Sequence, residues 1–311
     1  MPWNSDRKPF RGKDIPESRD RGDKKGNFGK KEGSGRREGF AKRAVKTSEN
    51  SSFKQHRELD EADMLQEDPD KIEGRNSVLE ALKAGRTINK ILISKGDKEG
   101  SIKYITALAR EKGIIIQEVE RTKLDSISST RAHQGVVAYV APKDYVEIED
   151  ILKIAEEKGE PPFIVLLDEI TDPHNLGSIM RTADAVGAHG IVIPKRRSVS
   201  LTATVSKASA GAVEYVPVAR VTNIAQTIEY LKKQNIWIIG TDSTGDKAFY
   251  ESDLKGGVGL VIGSEGEGIG KLIREKCDFV VNIPMKGKIS SLNAAVAAGV
   301  VMYEILRQRG I

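Results

Sequence analysis

Three polar stretches in the C-terminal half carry residues suited to chemistry, and each follows an apolar run. The first, Asp172-Pro173-His174-Asn175-Leu176-Gly177-Ser178-Ile179-Met180-Arg181, follows Phe163 to Leu167. The second, Gly263-Ser264-Glu265-Gly266-Glu267-Gly268, follows Gly259 to Ile262. The third, Lys286-Gly287-Lys288-Ile289-Ser290-Ser291-Leu292-Asn293, follows Phe279 to Pro284. Loops beyond the carboxyl ends of parallel strands are where α/β sheets bind ligands. Several chemistries are excluded. The glycines of 263–268 do not fit the G-x-G-x-x-G dinucleotide pattern, and no Walker lysine pattern occurs. His174 and His189 lack the spacing of a metal pair, and no Ser or Cys sits on a nucleophile elbow. What remains is an arginine, carboxylates, and neutral amide and hydroxyl groups.

The elements that position these residues are legible from periodicity. Leu176, Ile179, Ala183 and Val186 make one apolar helical stripe, with Ser178, Arg181 and Thr182 opposite and Asn175 at the border as a plausible N-cap. An arginine two turns into that helix can reach the strand-end loops. From this helix alone, a solvated surface arginine is the commoner outcome. A last helix is expected from Leu292, Val296, Gly299, Val300, Tyr303 and Leu306, with Ser290, Ser291 and Asn293 at its N-cap positions. Apolar runs at 163–167, 190–193, 236–239, 259–262 and 279–283 alternate with helical segments and predict a buried, mostly parallel sheet.

Upstream, 143–160 reads as a charged helical linker, with its helix over 148–158. Residues 70–142 read as a small α/β unit: a helix with Val78, Leu79 and Leu82 capped by Asn76 or Ser77, strands at 91–93, 114–116 and 136–140, and a helix ended by Gly113. His133 before the last strand reads as an exposed loop histidine. Residues 1–69 hold few apolar side chains, too few to offset the entropy of ordering, and read as disordered.

The chain has 311 residues, and its net charge of +5 is uneven. Residues 1–58 hold 17 Lys+Arg and 9 Asp+Glu, or +8, leaving 33 and 36, or −3, for the rest. The tail, with Phe10, Phe28, Phe40 and Phe53 among its cations, suits loose RNA contact or serves only to solubilise. Cys277 is the only cysteine, expected as a buried structural thiol. No apolar run approaches the roughly 18 residues of a membrane span, and no signal peptide is evident. A soluble protein of a reducing, cytoplasmic compartment is expected.

Taken together, Asp172 to Gly177 with Arg181, Gly263 to Gly268, and Ser290 to Ala297 resemble the SPOUT superfamily, specifically the TrmH/RlmB-type RNA ribose 2′-O-methyltransferases. The resemblance covers about Phe163 to Arg309, within a catalytic domain expected over 161–311. Residues 70–142, opening Ile72-Glu73-Gly74-Arg75-Asn76 and closing His133-Gln134-Gly135, resemble the small RNA substrate-binding domain of the bacterial 23S rRNA guanosine enzymes. The resemblance implies a C-terminal trefoil knot, S-adenosyl-L-methionine as cofactor and a homodimer. It implies a catalytic neighbourhood of Asn175, Arg181, Glu265, Ser291 and Asn293. Cofactor contacts would come from Gly263, Ser264, Gly266, Ile283, Met285 and Leu292, with no metal.

The implied chemistry fits these residue types. Methyl transfer needs the ribose 2′-oxygen in line with the methyl carbon and a path for its proton. A guanidinium is too basic to serve as an ordinary base. Arg181 is therefore expected to clamp the adjacent phosphate and steady developing oxyanion charge, with Glu265 orienting Arg181 or the substrate. The proton acceptor stays open. The expected substrate is a guanosine ribose of 23S rRNA. The alternatives are tRNA and a non-catalytic RNA-binding ribosome-assembly factor.

Overall fold

The computed structural model describes residues 70–97 and 99–310; the expectation for 1–69 lies outside them. The first sheet unit comprises β1 (Lys71–Glu73), α1 (Arg75–Lys83), β2 (Ile88–Ser94), α2 (Ser101–Glu111), β3 (Ile115–Val119), α3 (Arg121–Ile127) and β4 (Val136–Val140). Its strands run in the order β1-β4-β2-β3, with only β2 and β3 parallel. The second begins with α4 (Ile148–Lys158), β5 (Phe163–Leu167), α5 (Pro173–Ala185), β6 (Gly190–Pro194), α6 (Ala203–Ala208) and β7 (Val218–Val221). It continues with α7 (Ile224–Lys233), β8 (Trp237–Thr241), β9 (Lys247–Ala248), β10 (Val258–Ile262), α8 (Lys271–Lys276), β11 (Phe279–Asn282) and α9 (Ala294–Gln308).

Every pairing in the seven-stranded sheet β7-β6-β5-β10-β8-β11-β9 is parallel. Both faces are covered, which explains the unbroken apolar runs. Along β5 the alternation of a pleated strand divides the side chains. Phe163, Val165 and Leu167 enter the core shared with α5 and α9, while Ile164 and Leu166 enter the core shared with α4 and α7. The helix of the expected linker is part of this packing: Ile151 is fully buried, and a methyl at Gly190 would lie 2.5 Å from its Cδ1.

Several local expectations need correction. The residue preceding α1 is Gly74, at φ 94°, not Asn76 or Ser77, and Ser77 is buried with its hydroxyl donating to Ser206 O at 3.2 Å. His133 is buried rather than exposed. Its Nε2 lies 2.9 Å from Asp125 Oδ1, and its Nδ1 accepts from Gly135 N at 3.0 Å. The α9 stripe also divides differently. Ala298, Val301, Met302 and Ile305 are buried, whereas Val296 and Tyr303 are each 52% exposed. Cys277 is half-buried rather than buried, and desolvation still pushes its thiol up to about 12, which keeps it protonated.

The small sheet unit is fastened to the larger one. Arg86 Nη1 meets Glu214 Oε1 at 2.8 Å with both side chains largely buried. Tyr215 donates its hydroxyl to Glu80 Oε2 at 2.6 Å. Lys207 of α6 donates to Thr130 Oγ1 at 2.8 Å and to Ala132 O at 2.7 Å. The loop that receives Lys207 is organised by Glu73, whose buried carboxylate accepts from Ser128, Ser129 and Thr130. Burial alone would raise the Glu73 pKa, but these hydrogen bonds bring it below the ordinary value.

Candidate active site

The three polar stretches converge beyond the carboxyl ends of β5, β10 and β11. Asp172, not Asn175, caps α5. Its Oδ1 accepts from His174 N at 2.9 Å, and Pro173 occupies the first helical position. Asn175 is thereby released for another role. Its Nδ2 donates to Glu265 Oε1 at 2.9 Å. Asn293 donates through Nδ2 to the same Glu265 oxygen at 2.5 Å and to Asn175 Oδ1 at 2.8 Å. Asn293 also caps α9 as expected, its Oδ1 accepting from Ala295 N at 3.0 Å and Val296 N at 3.2 Å. Two amides therefore orient one oxygen of the Glu265 carboxylate, and its Oε2 makes no hydrogen bond among the described residues.

Beside this triad lies a cleft open to solvent, with about 810 Å³ of empty space counting the solvent at its mouth. Gly263, Ser264, Gly266, Ile283, Met285 and Leu292, the expected cofactor residues, all line it, together with Glu265 and Ser291. The glycine loop is closed by reciprocal bonds between Ser264 and Gly268, both 3.0 Å. Gly263 has no room for a side chain, since a methyl there would lie 2.1 Å from the Gly268 carbonyl carbon. Arg181 stands apart from the triad. It is exposed on α5 and makes no hydrogen bond or ion pair among the described residues.

Sequence reasoning missed Thr241, Asp242 and Ser243 in the cleft wall. The signal was available, because they follow the apolar run of β8 at the same sheet edge. Burial raises the Asp242 pKa, but bonds from Thr244 and the Arg274 guanidinium at 3.1 Å bring it below the ordinary value. Its charge therefore persists. Immediately after β5, burial holds the Asp168 pKa above the ordinary value while its carboxylate accepts from Gly270 N at 2.9 Å.

The cleft suits a ligand with an apolar flat part, hydrogen-bonding groups and a positive centre. Ile262, Val281 and Ile283 supply apolar wall, the loop backbone supplies donors and acceptors, and Asp242, Glu265 and Glu267 supply negative field. No group of three or more His, Cys, Asp or Glu among the described residues is placed to hold a metal ion. Among the same residues, no helix is long and apolar enough to cross a membrane.

Comparison with known proteins agrees with this geometry. Residues 162–303 match the SpoU rRNA methylase family, and residues 71–146 match the RNA 2′-O ribose methyltransferase substrate-binding family. The chain is 55% identical over 240 residues to a Bacillus subtilis protein assigned to the TrmH family of tRNA/rRNA methyltransferases, covering 77% of this chain and 96% of that one. A Staphylococcus aureus protein of the same assignment is 48% identical over 238 residues, covering 76% and 96%. Among solved structures, the SpoU methyltransferase AviRb of Streptomyces viridochromogenes in complex with AdoMet superposes with a TM-score of 0.66 at 28% identity, covering 77% and 89%. An AdoMet-bound rRNA methyltransferase of Sinorhizobium meliloti superposes with a TM-score of 0.60 at 26% identity, covering 76% and 86%.

Proposed function

Because the chain belongs to the TrmH/SpoU family of RNA methyltransferases, we propose that it methylates the ribose 2′-oxygen of a guanosine in 23S rRNA, in the cytoplasm and as a homodimer. The cofactor is S-adenosylmethionine, which supplies an electrophilic methyl group when bound. The observation that carries the reading is the convergence of Asn175, Glu265 and Asn293 at the lip of a cleft that suits that cofactor.

The chain's own residues divide the work. The backbone of 263–268 and the walls at Ile283, Met285 and Leu292 hold the cofactor. Asn175 and Asn293 fix Glu265 so that its Oε2 faces the incoming ribose hydroxyl as an oriented acceptor. Ser291, in the cleft wall, adds a neutral hydrogen bond. Arg181, without a partner among the described residues, clamps the phosphate beside the target and steadies negative charge developing on the 2′-oxygen. The sheet unit at 70–142 is the RNA-binding domain, 143–160 joins it to the catalytic domain at 161–311, and α9 threads the trefoil knot. The packing of α9 against α5 fits that path. The exposed Val296 and Tyr303 on the outward face of α9 support pairing of two copies.

The test is methyl transfer by the purified chain to protein-free 23S rRNA and to bulk tRNA, followed by mapping of the modified ribose. Transfer to a guanosine of 23S rRNA is expected. Transfer to tRNA alone would replace the substrate, and cofactor binding without transfer to any RNA would favour a non-catalytic assembly factor.

A further inference from the structure

Between β6 and α6 the chain presents Lys195, Arg196 and Arg197 in succession, all exposed. The segment is fastened on both flanks. Lys195 N donates to Val221 O at 2.8 Å, and Val199 N donates to Ile170 O at 3.1 Å. Ser198 Oγ donates to Pro194 O at 2.5 Å, and Arg220 donates to Lys195 O at 3.3 Å. Through Ile170 it is tied to the loop that leads from β5 into α5, the helix carrying Asn175 and Arg181.

Its backbone is strained where its charge is held. Arg197 has φ 57° and Glu169, across from it, has φ 58°. The two side chains pair at 2.8 Å while remaining 78% and 40% exposed. An L-residue enters the left-handed region at a cost, and an ion pair this open to water returns little. The pair therefore does not account for the strain of the two backbones that present it. Strain of this kind gathers at ligand clamps, where the surroundings over-determine it. Glu169 and Ile170 lie on the loop that leads into α5, whose Asn175 donates to Glu265 at 2.9 Å, so the segment is tied to the loop that positions the triad.

We propose that Lys195, Arg196 and Arg197 form a grip for RNA phosphates flanking the target ribose, and that Glu169 holds the place of one such phosphate on Arg197 until RNA arrives. The inference rests on the RNA methyl-transfer reading above. A guanidinium that now meets Glu169 through Nη1 alone can take a phosphate in its place through two parallel N–H donors. The arriving backbone therefore meets a cation already aimed. The exchange also frees Glu169 to water, so the bound state keeps no buried charge unpaired.

The experiment is a salt titration of RNA binding by the full chain, with protein-free 23S rRNA as the probe. Each phosphate contact contributes roughly 0.7–0.9 to the slope of log affinity against log salt. The Arg196→Ala/Arg197→Ala double variant leaves two phosphates without a partner, so its slope is expected to be shallower by about 1.5. Glu169→Gln is expected to tighten RNA binding severalfold by removing the competing carboxylate. Arg197→Gly removes both the charge and the left-handed strain, so it is expected to raise the melting temperature while weakening RNA binding. An unchanged slope in the double variant overturns the grip. So does Arg197→Gly with full RNA affinity. Methyl transfer by the wild-type chain reports separately on the function, so an unchanged slope in an active enzyme overturns this inference alone.

Discussion

Asn293 holds Glu265 with its amide nitrogen at 2.5 Å while its carbonyl oxygen caps α9. One side chain thus ties the Glu265 carboxylate to the start of the last helix. The two roles can be separated. Asn293→Ser keeps a good capping oxygen but is too short to reach Glu265. Asn293→Ala loses both roles. Methyl transfer should fall about 10–100-fold in both variants, as expected when a reacting group is left misplaced. Only the alanine variant should lose about 1 kcal/mol of stability. Single-turnover rates and denaturant midpoints on the two proteins check this. Wild-type rates in the serine variant would leave the contact with Glu265 without a catalytic role.

Arg181 has no partner to lose among the described residues, so its removal isolates its contribution to the reaction. Arg181→Ala should leave stability within about 0.5 kcal/mol and cut the rate roughly 10²–10³-fold. S-adenosylmethionine affinity should hold, since Arg181 does not line the cleft. Arg181→Lys keeps the charge without the planar fork and should recover only part of the rate. A large acidic shift of the pH–rate profile in the lysine variant would identify residue 181 as the base instead.

His189 gives the fold an acid limit. It is buried, its Nδ1 accepts from Phe163 N at 3.0 Å, and its Nε2 lies 3.2 Å from Glu160 Oε2. Burial is the main cause of its lowered pKa, Lys158 adds to it, and Glu160 opposes. The unfolded chain therefore binds this proton more readily than the folded one. Its stabilising effect is complete above the ordinary imidazole pKa of about 6.5. It drains away as pH falls from there toward the lower folded value. Denaturant unfolding between about pH 8 and pH 5 should show stability falling on the acid side. His189→Gln should be less stable at neutral pH and flatter over that range. An equal slope in both proteins would remove His189 as the cause.

The outward face of α9 should be covered by a second copy of the chain. Val296→Glu with Tyr303→Glu places two charges on residues that are now half exposed. Specific dimers bury on the order of 1,200 Å² or more, and burying an unpaired charge there is costly. Sedimentation at about micromolar concentration should show a wild-type dimer and a variant monomer. A monomeric wild type would refute the pairing.

Five of the seven strands of the large sheet are readable in the sequence because burial on both faces leaves long apolar runs, whereas β7 and the two-residue β9, both at the sheet edges, leave none. The same burial hides the direction of α9: a helix apolar on most sides does not tell which side meets the core. Short elements are hidden for another reason. β1 spans three residues, and α6 is Ala-Thr-Val-Ser-Lys-Ala. Neighbours rather than local propensity hold such pieces. In the site, the loops and their residue types are legible, whereas the bond from Asn175 to Glu265 spans 90 positions. The amide of Asn175 suits a cap, although Asp172 with Pro173 already supplies the helix start three residues earlier. His133 looks like a loop residue because its partner Asp125 sits on a helix, α3, with little apolar pattern.

The fastening of the small sheet unit sets a rule for exchanging parts among relatives. Its contacts end on Lys207 and Glu214, which belong to the other unit in sequence. A chimera cut at the boundary near residue 143 would transplant Arg86 and the Glu73-held loop but leave their partners behind. The graft would keep Asp70 at 3.8 Å from the Arg86 guanidinium but lose Glu214, its partner at 2.8 Å, and its RNA would arrive on a tether instead of a bracket. Altered target choice by domain exchange therefore requires residues 203–215 to travel with residues 70–142, as one inheritance in two pieces of chain.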